Sequence, residues 1–196
     1  MNYLHDALTV AGNSSGGITT SGAVPILCSD TVWEDLRFPA TRVRLGSLSK
    51  PDFNYTDITV DFDPTSDETI YVNAQMPHRW KEGSAINPHI HWIQNQNVNI
   101  PWKFEYRIQA NSAAKTTAWS TKTLDQLSYT YVSGNLNQIS YASSMIDMTG
   151  YGISCILQMK LTRDVSEDSY SGDAQLYELD IHFQIDTLGS QDEYSK

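Results

Sequence analysis

Charge is scarce in this 196-residue chain, and positive charge is scarcest. Charged residues make up 18%, with 13 Lys+Arg against 23 Asp+Glu and a formal net charge of −10. A sequence-independent nucleic-acid binder needs a basic surface to displace counterions, and an anionic lipid surface attracts the same charges. The balance therefore argues against nucleic acid and against membrane as partners. Long apolar runs are also missing. None approaches the about 18 residues of a membrane helix. Met1 to Val10 contains Asp6 and neither Lys nor Arg, so it lacks the charged start of a signal peptide. Cysteine is limited to Cys28 and Cys155, too few for a disulfide framework. Both read as reduced thiols in a chain made in a cytoplasm.

What is present suits one folded domain. Hydrophobic residues are 40% of the chain. Folding at this size buries about 70% of the extended-chain surface, enough for a core without staples. Residues 1–29 differ from the rest. The stretch Ala11-Gly-Asn-Ser-Ser-Gly-Gly-Ile-Thr-Thr-Ser-Gly22 is small and polar. Its burial does not offset the entropy of ordering, which predicts a flexible N-terminal arm. Residues 30–196 are uniform in composition and form the expected single domain.

That body reads as strands. In Gly152 to Arg163, the residues Ile153, Cys155, Leu157, Met159 and Leu161 share one face. In Gln175 to Asp186, the residues Tyr177, Leu179, Ile181, Phe183 and Ile185 alternate with Leu176, Glu178, Asp180, His182, Gln184 and Asp186. Period-two alternation of this length marks half-buried antiparallel strands. The polar link Asp164 to Asp173 suggests that the two form a long hairpin. Further strands are predicted over Thr56–Phe62, Glu68–Gln75, Pro88–Gln94, Trp102–Gln109, Leu127–Val132 and Leu136–Tyr141. Gly, Pro, Asn and Asp turns separate them, and no long helix-period stretch is present. The expected fold is all-β: an antiparallel β-sandwich or jelly roll.

The sharpest local signal is Gly83-Ser-Ala-Ile-Asn-Pro-His89-Ile-His91. Histidines at i and i+2 on a strand project from one face, a sound geometry for two ligands of one metal. Three further patterns carry less. Asp61-Phe-Asp63-Pro-Thr65-Ser-Asp67 has the alternate oxygens of a calcium loop, but it lacks the turn glycine and contains Pro64, so it reads as a solvated acidic turn. Gly12-Asn-Ser14-Ser-Gly16 matches the nucleophile-elbow pattern without the flanking strand and helix that the mechanism needs. Arg37, Arg42, Arg44 and Lys50 form a basic strip on an acidic chain, read either as a solvated edge or as a docking strip for an acidic neighbour, another copy of the chain among the candidates. The five Trp, 11 Tyr and five Phe read first as core packing and sheet-face pairing, and those of them that reach the surface suit subunit interfaces.

Two resemblances follow from these residues. Gly-x5-His-x-His is similar to the first motif of the cupins, which are jelly-roll metalloproteins. Cupins place a Glu about four residues further on; here that position is Gln96, after Gln94 and Asn95. Their second motif, with Pro-x-Gly and a fourth ligand, has no counterpart, and His182 stands in only by assumption. The histidine pair is therefore expected to be structural, with Trp92 packing on the opposite face and no metal or other cofactor. The alternative is a cupin-like metal-dependent enzyme using His89 and His91.

The wider resemblance rests on Val32-Trp-Glu-Asp-Leu-Arg-Phe-Pro39, Pro51-Asp-Phe53, Ala74 to Gly83, Pro88-His-Ile-His-Trp92 and Asp180 to Ser190. Together these resemble a family of small proteins encoded among the structural genes of tailed bacteriophages. The resemblance implies a non-enzymatic virion component in multiple symmetric copies, either capsid decoration or a head–tail neck or tail accessory protein. It implies copies of itself and other virion proteins (capsid, portal or tail) as partners, and assembly after synthesis in the host cytoplasm.

Overall fold

Eleven strands account for the regular structure of the computed structural model, which describes residues 31–98, 100–124, 134–140 and 145–196. In chain order they are β1 (Val32–Pro39), β2 (Arg44–Leu45), β3 (Asp52–Asn54), β4 (Thr59–Phe62), β5 (Glu68–Gln75) and β6 (Asn87–Ile93). They continue with β7 (Trp102–Gln109), β8 (Ser120–Leu124), β9 (Asn137–Ser140), β10 (Ile156–Arg163) and β11 (Ala174–Ile185). The described residues include no α-helix, only 3-10 turns at Ala40–Arg42 and Val165–Glu167. The arm, the elbow-like Gly12–Gly16, Cys28 and the expected strand Leu127–Val132 lie outside the described residues.

The strands form two antiparallel sheets. One runs β3-β4-β11-β6-β9, and β1 shares with β4 the edge of β11 opposite β6. The other runs β2-β5-β10-β7-β8. The alternation of apolar residues dictates how they stack. Leu179, Ile181 and Phe183 on β11 and Leu157, Met159 and Leu161 on β10 are all buried in one core. Aromatic rings bridge the layers: Trp102 of the second sheet meets Phe62 at 5.0 Å and Trp92 at 6.3 Å between centroids, both edge-on. The protein is an all-β antiparallel sandwich of jelly-roll type, as the alternation implies.

Four details depart from the sequence reading. First, β10 and β11 are not a hairpin; they belong to opposite sheets. The polar link 164–173 crosses the open end of the sandwich, held by Arg163, so the two apolar faces oppose one another. Second, β10 starts at Ile156 rather than Gly152. Ser154 takes a left-handed φ of 62°, which breaks the ladder. Its hydroxyl is then in reach of Gln75 Nε2 and His78 Nε2, both at 2.9 Å. Third, β4 starts at Thr59 after a turn through Ile58, whose φ is 59°. Fourth, the β11–β6 register shifts between Leu176 and Glu178. A bulge reverses the side-chain phase locally. Leu176 is therefore buried in the core, and Tyr177, expected on the apolar face, lines a groove on the outside.

One end of the sandwich carries the acidic turn. A groove there is lined by Asp52, Asp61, Asp63, Glu68 and Asp173, among others. The turn closes on itself, since Asp63 Oδ1 accepts from the Thr65 backbone N–H at 2.6 Å. Burial, assisted by neighbouring carboxylates, pushes Glu68 and Asp173 above the usual carboxylate range. A raised folded-state pKa means that the folded protein holds the proton more tightly. Stability from that source is complete below about pH 4.3 and is lost as pH rises through the folded pKa. Glu68→Gln keeps an acceptor for the Asp63 N–H, which Glu68 Oε2 now takes at 2.7 Å, and removes the charge. The variant should melt higher than wild type at pH 7, and the difference should vanish by about pH 3.5. Thermal scans of both proteins across that range check it, and a gap independent of pH would contradict it.

Candidate functional site

The outer face of the β1–β11–β6 sheet holds most of the chain's histidine. The ladder sets the rows: Asp180 stands opposite His89, Glu178 opposite His91, and His182 opposite Asn87. On the other flank of β11, Asp35 faces His182 and Arg37 faces Asp180. Because side chains alternate along a strand, Asp35, Arg37, His89, His91, Glu178, Asp180 and His182 emerge on one surface.

An ion pair and a histidine–carboxylate contact frame the cluster. Arg37 Nε and Nη2 donate to the two carboxylate oxygens of Glu178, each at 2.6 Å. His182 Nε2 lies 2.8 Å from Asp35 Oδ1, and its ring packs edge-on at 4.2 Å from that of His89. At the centre stand His89, His91 and Asp180. His89 Nε2 is 3.1 Å from His91 Nε2 and 2.5 Å from Asp180 Oδ1. His91 Nε2 is 3.6 Å from Asp180 Oδ2. One donor atom from each residue falls within 4.8 Å of the other two. His89 and Asp180 are buried, at 1% and 3% exposure, whereas the His91 side chain retains 24%. That exposed edge opens into a groove of about 590 Å³ lined by Arg37, His91, Leu136, Tyr177 and Glu178, among others.

Electrostatics at the centre are unusual for a sheet surface. Burial pushes the Asp180 carboxyl upward, but the adjoining His89 and His91 imidazoles outweigh it and hold the group below its ordinary range. The site therefore keeps a buried carboxylate. Two of its polar atoms, Asp180 Oδ1 and His89 Nδ1, are buried with no hydrogen-bond partner among the described residues. The 2.5 Å approach of His89 Nε2 to Asp180 Oδ1 is close but not aligned as a hydrogen bond.

The structure thus brings His89 and His91 together, as the i, i+2 spacing requires, and adds Asp180. The sequence signal for Asp180 was its place with Glu178 and His182 on the polar face of β11. His182 turns to Asp35 instead. Gln94 lies on the core side, where Trp92 Nε1 donates to its Oε1 at 3.1 Å and its Nε2 reaches the Gln96 carbonyl at 2.6 Å. Gln96 sits in the exposed turn beyond β6. Trp92 is fully buried on the opposite face, as expected. His78 belongs elsewhere: its Nδ1 is 2.8 Å from the Ser190 carbonyl oxygen. Cys155 is buried, and that burial pushes its thiol to about 11, which leaves it inert as a nucleophile.

The basic strip lies around the sandwich edge. Arg42 and Arg44 join Leu36, Phe38, Tyr71 and Val72 along a groove of about 560 Å³ between β1 and β5. The strand β2 covers only Ile70 and Tyr71 of β5. Among the described residues, no strand pairs with the same edge at Val72–Gln75.

No protein-family model matches the sequence, and no curated protein matches it. Among solved structures, the chain is similar to the carbohydrate-binding module TmCBM27, described for specific mannan recognition. The identity is 11% over 77% of this chain and 88% of that one, with a TM-score of 0.38. It is also similar to the CBM22-1–GH10 modules of the Clostridium thermocellum N-terminal endo-1,4-beta-D-xylanase 10B complexed with xylohexaose. There the identity is 9% over 79% of this chain and 28% of that one, with a TM-score of 0.34. Neither likeness bears on the histidine cluster or on the basic groove.

Proposed function

We propose that this chain is a non-enzymatic structural component of a tailed-phage virion, present in multiple symmetric copies as capsid decoration or as a neck or tail accessory protein. The observation that carries the reading is the groove between β1 and β5. It combines an apolar floor, a stretch of strand edge that no described strand pairs, and Arg42 and Arg44, on a chain whose net charge is −10. An acidic neighbour, another copy included, finds there both charge and backbone hydrogen-bonding partners. Trp33, 41% exposed on β1, adds an aromatic of the kind that interfaces favour. Four of the five runs that resemble phage structural proteins, all but Pro51–Phe53, also form one physical unit. Val32–Pro39 pairs with β11, Pro88 pairs with Ile181, and Lys81 N donates to Gln184 O at 2.7 Å. A cryo-EM map of the particle tests the proposal. The expected result is this chain in symmetric copies with the β1–β5 groove covered; a purified, complete particle lacking the chain would overturn it.

A second reading, a cupin-like metal-dependent enzyme, has one specific observation in its favour: Asp180 completes a set of three donors with His89 and His91. Turnover by purified protein that His91→Ala abolishes would favour it over the virion role.

A further inference from the structure

We propose that His89 Nε2, His91 Nε2 and the Asp180 carboxylate bind one divalent first-row transition-metal ion, which fastens β6 to β11 on the outer face of the sheet. The inference concerns these residues alone and holds whether the chain serves a virion or a reaction.

Geometry is the first support. Two imidazole nitrogens bound to one ion at 2.0–2.1 Å, at angles between 90° and tetrahedral, stand about 2.9–3.4 Å apart. The observed separation of His89 Nε2 and His91 Nε2 is 3.1 Å. Both nitrogens come from one strand at i and i+2, and the strand supplies that spacing with no loop to order. The carboxylate comes from the paired strand, directly opposite His89. All three side chains are therefore held by a ladder rather than by mobile segments.

The unpaired atoms are the second support. Asp180 Oδ1 is buried, lies 2.5 Å from His89 Nε2 and has no hydrogen-bond partner among the described residues. A cation seated among the three side chains satisfies the oxygen once this pair opens to about 2.9 Å, the least spacing two ligands of one ion keep, whereas a proton on the misaligned nitrogen does not. Nor do the neighbouring side chains of the sheet offer that oxygen a donor. Arg37, its neighbour in the row, is engaged bidentately by Glu178. His182, next along β11, is engaged by Asp35.

The donor set defines the metal. Calcium takes six to eight oxygens and magnesium an oxygen octahedron, and two imidazoles suit neither. Two His and one carboxylate suit zinc, iron(II), cobalt(II) and their neighbours. The partial exposure of His91 gives the ion an entry path, and the adjoining groove leaves room for water at the remaining coordination positions.

Cobalt(II) is a direct probe, because its visible bands report the coordination of the bound ion. The full-length protein, stripped with chelator and desalted, should take up one Co(II) per chain and release it to Zn(II). Zn(II) should also raise the melting temperature. His91→Ala, at a partly exposed position, should fold and bind Co(II) about 100-fold or more weakly. Asp180→Asn should weaken binding similarly, and His78→Ala, away from the cluster, should leave it unchanged. Folded wild type that takes up neither metal would overturn the site. So would binding that survives in folded His91→Ala, or that is lost in His78→Ala instead.

Discussion

Arg163→Ala is expected to destabilise the protein by about 3–5 kcal/mol, the cost of breaking a buried charge pair from one side. Arg163 ends β10 and is fully buried. Its Nε donates to Asp168 Oδ2 at 2.5 Å, Nη1 to the carbonyls of Phe62 at 2.6 Å and Gly172 at 2.8 Å, and Nη2 to the Tyr170 carbonyl at 2.6 Å. Phe62 ends β4 in one sheet and Arg163 belongs to the other, so one guanidinium joins both layers to the link that crosses between them. Removing it strands a buried carboxylate and three carbonyls, each of which costs more unpaired than its bond was worth. At about 2–4 °C per kcal/mol for a chain of this size, the melting temperature should fall by roughly 10 °C. Arg163→Lys keeps the charge but not the planar fork, so its loss should be intermediate. Urea unfolding of the two variants checks the prediction. A loss below about 1 kcal/mol for Arg163→Ala would show that the link holds without this bracket.

The same arginine shows where sequence reasoning stops. Alternation says which residues of β10 and β11 face inward, because side chains obey a period of two. It does not say which strand lies beside which, because the ladder is made by backbone groups that every residue shares. The polar link 164–173 is equally consistent with a hairpin and with a crossing between sheets. A charged residue closing an otherwise apolar strand was the available signal: burying it demands carbonyls from several segments, which a hairpin end rarely gathers.

The candidate site divides along the same line. His89 and His91 are legible from spacing alone, since i and i+2 share a face. Asp180 is legible only as a polar-face residue of its own strand. Its place opposite His89 depends on strand order and register, and the register includes the shift between Leu176 and Glu178. That shift also moved Tyr177 from the expected core face to the outer groove. Cupin-like spacing directed attention to Gln96, in the turn just beyond the same strand, whereas the third donor arrives from a strand about 90 residues away and becomes a neighbour through pairing.

Phe183→Ala should cost about 3–5 kcal/mol through the cavity it leaves. Phe183 is 1% exposed on the inner face of β11, the strand to which β1, β4 and β6 all pair. Because β11 is held on both edges, it cannot move inward without distorting three ladders, so the cavity should stay largely open. A residue on a lone edge strand would relax and lose less. Phe183→Leu, which fills part of the same volume, should cost less than half as much if the loss follows cavity size. Gln184→Ala, pointing the other way from the same strand, should stay within about 0.5 kcal/mol of wild type. Trp80, Trp92 and Trp102 are fully buried, so their fluorescence follows core exposure during urea unfolding. Equal losses for Phe183→Ala and Gln184→Ala would mean that this face of β11 does not carry the core.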